Sequence, residues 1–152
     1  MSNLAANSYL RTKVLTATPE QLQLLLYDGA IRFAEQGKVA LQKKDFEASY
    51  NSLSRAQKII TELAGSLRPS VFPELCGKLA SLYNYVYRKL VEANAKHTID
   101  SLDEALSILR FQRETWAMLL DQIGKKKAAA AATKIEMPTP NTRMEATINT
   151  AA

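Results

Sequence analysis

Thr18–Phe33 reads TPEQLQLLLYDGAIRF, and this stretch decides the fold. It opens as a helix should: Thr18 is a good N-cap, Pro19 suits the first helical position, and Gln21 sits where a capping-box side chain can reach back. From Leu22 onward the helix is more apolar than a surface helix requires. At about 100° per residue, one stripe holds Leu22, Leu25, Leu26, Ala30 and Phe33, and a second holds Leu24, Tyr27 and Ile31. Only a narrow arc with Gln21, Asp28, Arg32 and Glu35 is polar. A helix packed on one side needs an apolar face of roughly 100°. The second stripe therefore reads as a surface reserved for something else.

Outward from this helix the pattern repeats three times. Asp45 can cap a second helix, about Phe46–Ser66, with Phe46, Tyr50, Leu53, Ala56, Ile60, Leu63 and Leu67 on one face, and Pro69 blocks its continuation. A third begins near Pro73, carries Leu75, Leu79, Leu82, Tyr83, Val86, Tyr87 and Leu90, and fades at Asn94–Thr98. Asp100 or Ser101 can cap a fourth, about Leu102–Ile123, with a core face of Leu102, Ala105, Leu106, Leu109, Trp116, Leu119, Leu120 and Ile123. Gly124 and Lys125–Lys127 supply a stop and favourable charge at the negative end of its dipole. No β-branched run alternates over strand length. With short links, neighbours should run antiparallel. The expectation is an all-α, up-down-up-down four-helix bundle over residues 18–124, within one domain of a 152-residue chain.

Two segments fall outside that bundle. Residues 125–152 hold three lysines, an alanine run and then Thr, Pro and Asn, and read as a disordered basic tail. Residues 1–17 carry Leu4, Tyr9, Leu10, Val14 and Leu15, more apolar side chain than a free end usually keeps. A flexible lid over an apolar groove and an ordinary frayed end both fit.

Charge and chemistry exclude several functions. The net charge is +5, but +3 of it lies in the tail (Lys125, Lys126, Lys127, Lys134 and Arg143 against Glu136 and Glu145). A near-neutral body without clustered cations and aromatics argues against nucleic-acid binding. The single cysteine, Cys76, forms no intrachain disulfide and reads as a small core residue. No signal pattern or apolar run of about 20 residues is present, which predicts a cytoplasmic protein without membrane insertion. His97 is the only histidine and falls at a helix end, so phosphotransfer, di-iron and haem constellations fail. Acidic residues such as Glu62, Asp103 and Glu104 read as capping and solvation charges. No glycine-rich loop precedes a helix. The chain reads as neither an enzyme nor a cofactor or metal protein.

What remains is surface. Leu24, Tyr27 and Ile31 on the first helix, Ile59 on the second, Tyr83, Tyr85 and Tyr87 on the third, and Phe111 and Met118 on the fourth lie off the core stripes or beside them. Together they suggest grooves for an amphipathic partner helix.

Tyr9, then Thr16–Phe33 (TATPEQLQLLLYDGAIRF), Arg55–Leu63 (RAQKIITEL), Leu82–Asn94 (LYNYVYRKLVEAN) and a late Trp116 resemble the flagellar secretion chaperone FliS family over roughly residues 7–120. Arg68–Cys76 lacks the Gly-Gly-Glu type of sequence common in that family, and the tail after Gly124 matches nothing in it. The resemblance implies a cytoplasmic four-helix bundle that binds the disordered C-terminal segment of flagellin. Such a protein prevents premature polymerisation and delivers flagellin to the type III export apparatus through a gate component. It also implies an N-terminal segment that covers part of the binding surface. Leu4, Tyr9, Leu10 and Val14 become lid candidates, and Leu24, Tyr27, Ile31, Ile59, Tyr83, Tyr87, Phe111 and Met118 become client-contact candidates. Monomer and homodimer both remain open, as does a helical adaptor sequestering another partner.

Overall fold

The computed structural model describes residues 2–70 and 72–136. Among them the fold is all-helical, with five helices: α1 (Ser2–Thr16), α2 (Pro19–Gln42), α3 (Phe46–Gly65), α4 (Pro73–Lys96) and α5 (Ile99–Glu136). Contacts divide the chain after Trp116 into two compact units.

Local chemistry explains the helix limits. Thr18 and Gln21 form the capping box: Gln21 N–H donates to Thr18 Oγ1 at 3.2 Å and Thr18 N–H to Gln21 Oε1 at 3.0 Å. The α2–α3 turn is a Schellman motif, with Asp45 N–H donating to the Ala40 carbonyl at 2.9 Å and Lys44 N–H to Leu41 at 3.0 Å. This geometry requires a left-handed residue, and Lys44 takes it at φ 58°. Asp45 then caps α3 by accepting from Ala48 N–H at 3.2 Å. His97 ends α4 in the same left-handed region, φ 56°. Its imidazole stacks on Phe46 with centroids 3.9 Å apart and planes 7° from parallel, tying the end of α4 to the start of α3.

Within the first unit, α2 packs on α3 and α3 on α4. The core is Tyr27, Ala30, Ala34 and Leu41 of α2, Leu53, Ala56, Ile60 and Leu63 of α3, Tyr83, Val86, Leu90 and Ala93 of α4, and Leu102, Ala105, Leu106 and Leu109 of α5. Small residues on α2 set the approach of α3. A Cβ added at Gly29 would lie 3.2 Å from Ile59 Cδ1, and one at Gly37 only 2.6 Å from Leu53 Cδ2.

Several expectations need correction. The segment before residue 18 is helical, although its residues 4–16 stay exposed. Thr18 leaves only Ala17 between α1 and the cap of α2. The fourth expected helix starts at Ile99, so Asp100 and Ser101 lie inside it, and Ser101 is buried, accepting a hydrogen bond from Thr98 Oγ1 at 2.9 Å. It does not stop at Gly124 but continues to Glu136, because the alanines after Lys127 are the strongest helix formers. The part of the expected disordered tail from 125 to 136 is therefore helical, and residues 137–152 lie outside the described residues. Leu22, Phe46, Tyr50, Leu75, Tyr87 and Leu119, all placed on core faces by periodicity, are exposed. Cys76 is half-buried.

Gly37→Ala should destabilise the protein by about 1–3 kcal/mol, since the new methyl must displace the buried Leu53. Gly77→Ala, whose Cβ meets open space within α4, should stabilise it by about 0.5–1 kcal/mol. Urea denaturation of the two variants checks the pair, and equal effects would show that the α2–α3 approach is not tight.

Candidate client-binding surface

Three neighbours share the apolar surface of α2. Toward α3 runs the row Leu22, Leu26, Gly29, Phe33, Gly37, with Gly29 against Ile59, Gly37 against Leu53 and the Arg55 guanidinium 5.6 Å from the Phe33 ring centre. Toward α4 points Tyr27, whose hydroxyl hydrogen-bonds that of Tyr83. Toward α5 runs the row Glu20, Leu24, Asp28, Ile31, Glu35, Lys38, spaced at three and four residues. Every polar member of that row contacts α5. The Glu20 carbonyl accepts from Trp116 Nε1 at 2.8 Å, Asp28 pairs with Arg113 at 2.8 Å, Glu35 with Arg110, and Lys38 with Asp103 at 2.7 Å. Positions fall along α2 as they rise along α5.

Leu24 and Ile31 sit between these rungs, both half-buried, with Ile31 packed against the core. The second stripe is thus divided: Tyr27 turns to α4, while the half-buried Leu24 and Ile31 lie along the row that meets α5. Tyr27 and Tyr83 are corrected outright. Each is 2 % exposed, so neither is reachable by a partner helix without unfolding the centre. Ile59 is half-buried against Gly29 in the α2–α3 seam. A rule available from sequence could have found this: apolar and charged residues alternate along one ridge of α2, and Asp103, Arg110 and Arg113 supply the opposite charges on α5.

The tyrosine pair is the polar element of the core. Burial holds both phenols above their ordinary range. The Tyr27 hydroxyl pushes Tyr83 further up, while hydrogen bonding with the Gln23 amide opposes the shift in both. Ser66 Oγ donates to Gln23 Oε1 at 3.3 Å, extending the network to the end of α3. Among the described residues no buried side-chain nitrogen or oxygen lacks a partner.

The α4–α5 seam is also polar. Tyr85 O–H donates to Glu104 Oε2 at 3.0 Å and Lys89 Nζ lies 3.2 Å from the same oxygen. The Tyr85 hydrogen bond, followed by Lys89, holds Glu104 below the usual carboxylate range, and Glu104 raises Lys89. A shallow depression of about 460 Å³ lies here, lined by Tyr85, Asp100, Asp103, Glu104, Ser107 and Ile108, and its three carboxylates suit no apolar helix.

The α3–α4 flank differs. Tyr50 is one helical turn from Phe46, which meets the end of α4, and is 62 % exposed. Tyr87 and Val91 lie on the flank of α4 turned away from the Tyr85–Lys89 side, and both are exposed. Of the sequence candidates, Tyr87 and Phe111 remain accessible in the first unit, as does Met118 in the second. Tyr50 and Val91 were missed, because the 3.6-residue pattern assigned Tyr50 to the core and passed over Val91. Leu4, Tyr9, Leu10, Val14 and Leu15 of α1 are exposed, so α1 buries none of its larger apolar side chains.

The family model for the flagellar protein FliS matches residues 1–123. The chain belongs to the FliS family. Similar proteins include the flagellar secretion chaperone FliS of Bacillus subtilis, 32% identical over 79% of this chain and 89% of that one. The FliS chaperone of Campylobacter jejuni is 29% identical over 76% and 90%, and that of Salmonella typhimurium 29% identical over 72% and 82%. A solved crystal structure of a flagellar chaperone from bacteria aligns with a TM-score of 0.65 at 16% identity, covering 80% of this chain and 99% of that one, and supports the fold. The FliS match takes in α1 through α4 and α5 as far as Ile123.

Tyr27→Phe and Tyr83→Phe should each cost about 1 kcal/mol or more. The double variant should cost less than their sum by a coupling of about 0.5–3 kcal/mol. Since both folded phenols titrate above the unfolded value of about 10, their contribution is complete below pH 10 and is lost above it as the folded groups ionise. Denaturation midpoints should stay level to about pH 9 and then fall, less steeply in the double variant; identical alkaline slopes would refute the assignment.

Proposed function

We propose that this FliS-family chain is a cytoplasmic export chaperone for flagellin. It would bind flagellin's disordered C-terminal segment, prevent premature polymerisation, and deliver the subunit to an export-gate component of the flagellar type III apparatus. The observation that carries this reading is the FliS match over residues 1–123, on a body whose α3–α4 flank leaves Tyr50, Tyr87 and Val91 uncovered. In this reading α2–α5 act as an antiparallel, up-down-up-down four-helix bundle. The opposed numbering of the α2–α5 contacts and of Gly29–Ile59 and Gly37–Leu53 supports that arrangement.

The client acts as an amphipathic helix that becomes ordered on the bundle. Its apolar face covers Tyr50, Tyr87 and Val91, and the exposed Phe111 of α5 offers a contact apart from that flank. Met118 of the second unit offers a separate client contact. Burying one such side chain contributes about 1.5–3 kcal/mol, so three or four offset the 2–5 kcal/mol or more that ordering the client costs. The apolar side chains of α1, with Tyr9 foremost, act as a cover that exchanges with the client. No nucleotide is required, because competition at the gate can release the subunit. The chaperone works as a monomer or a homodimer.

The test is co-elution with flagellin at defined stoichiometry. Removing flagellin's C-terminal segment should abolish the complex, and a complex that survived would sink the proposed mode. Tyr50→Asp combined with Tyr87→Asp should weaken binding at least about tenfold, with helicity by circular dichroism unchanged. Undiminished binding would move the client off the α3–α4 flank.

A further inference from the structure

Lys125, Lys126 and Lys127 do not end a helix. α5 runs on to Glu136. The favourable effect of basic residues on the helix dipole acts only within the last turn, so it does not account for these three. Residues 125–134 read KKKAAAAATK, with four lysines and no acid. The side chains of Lys125–Lys127 are all exposed. Lys125 pairs with Asp121 of its own helix at 3.1 Å, and among the described residues Lys126 and Lys127 form no ion pair. Successive side chains do not face one another on a helix, and Lys126 and Lys127 gain no i,i+4 partner, so nothing in the helix itself calls for them. The FliS match ends at residue 123, with only Gly124 between it and the lysines.

The kind of charge narrows the partner. Three successive lysines spread over about 200° of the helix and do not line one face as a groove-entering helix would. Residues 117–136 contain no arginine to fork onto a phosphate and no aromatic ring to stack on a base. The alanines are too small to drive insertion, and among the described residues no helix is long and apolar enough to cross a membrane. Flexible ammonium groups that need no fixed geometry suit a diffuse anionic plane, which they can reach from either flank of the helix. Clusters of four or more such residues adsorb to acidic lipid headgroups.

We infer that the part of α5 from Gly124 onward is an electrostatic tether that adsorbs this chain reversibly to the surface of an anionic phospholipid bilayer. Adsorption uses the lysines and involves no insertion. The inference stands apart from the client surface and does not rest on it.

Sedimentation of the full chain with vesicles of phosphatidylcholine, alone or mixed with phosphatidylglycerol, tests this. The protein should bind only the mixed vesicles at low salt, and high salt should release it. Lys125→Ala, Lys126→Ala and Lys127→Ala combined should lower the partition coefficient on the order of a hundredfold, about fivefold for each lysine. Alanine favours helix, so circular dichroism should show no loss of structure in this variant. Its binding to flagellin should match the unaltered chain, which separates failure of the tether from failure of the chaperone reading. Equal binding to both vesicle types, binding that persists at high salt, or unchanged binding of the variant would overturn the inference. So would retention on single-stranded RNA without vesicle binding, which would assign the lysines to nucleic acid.

Discussion

One helix in this structure must satisfy three neighbours at once. α2 meets α3 through Gly29, Phe33 and Gly37, α4 through Tyr27, and α5 through the Glu20–Lys38 row. A helix so surrounded cannot be amphipathic in the ordinary sense, because almost every direction but one is occupied. Close contact on the α3 side depends on two glycines, and the hydroxyl pair on the α4 side fixes the register of the middle. Ala30 and Ala34 lie fully buried between these contacts.

The way each seam is closed determines where a partner can bind. Ion pairs and a tryptophan hydrogen bond edge the α2–α5 seam, and a Tyr–Glu–Lys cluster edges the α4–α5 seam. Exposed ion pairs of this type add little stability, roughly 0–1 kcal/mol each, but a helix docking over them would have to desolvate charge. The α3–α4 flank carries Tyr50, Tyr87 and Val91 instead, and a partner there exchanges water for apolar contact.

Much of this was legible in the sequence because the capping signals are local. Thr18, Pro19, Gln21, Asp45 and Pro73 mark three helix starts through chemistry that acts within one turn. The all-helical class and the family resemblance also follow from residues quoted in order. Which apolar stripe faces which neighbour did not follow, because periodicity places residues on a helix but does not say how many neighbours the helix has. Tyr27 and Ile31 were therefore read as surface, and Tyr50 as core. The end of α5 was misread for a related reason: Gly124 and three lysines form a plausible stop only where the residues beyond them are poor helix formers, and five alanines are not.

The contacts between α2 and α5 join the most distant parts of the first unit. Asp28 and Arg113 are 85 residues apart and Glu20 and Trp116 are 96 apart. The helices between them are joined by tight turns at Lys44 and His97, which close short loops. Closing a loop of that longer kind costs about 2 kcal/mol more than closing one of ten residues. The chain entropy resisting assembly is thus concentrated at one seam, and the exposed charges on its rim recover little of it. The half-buried Leu24 and Ile31, set between those contacts along the same row of α2, are the apolar residues placed to help close that loop.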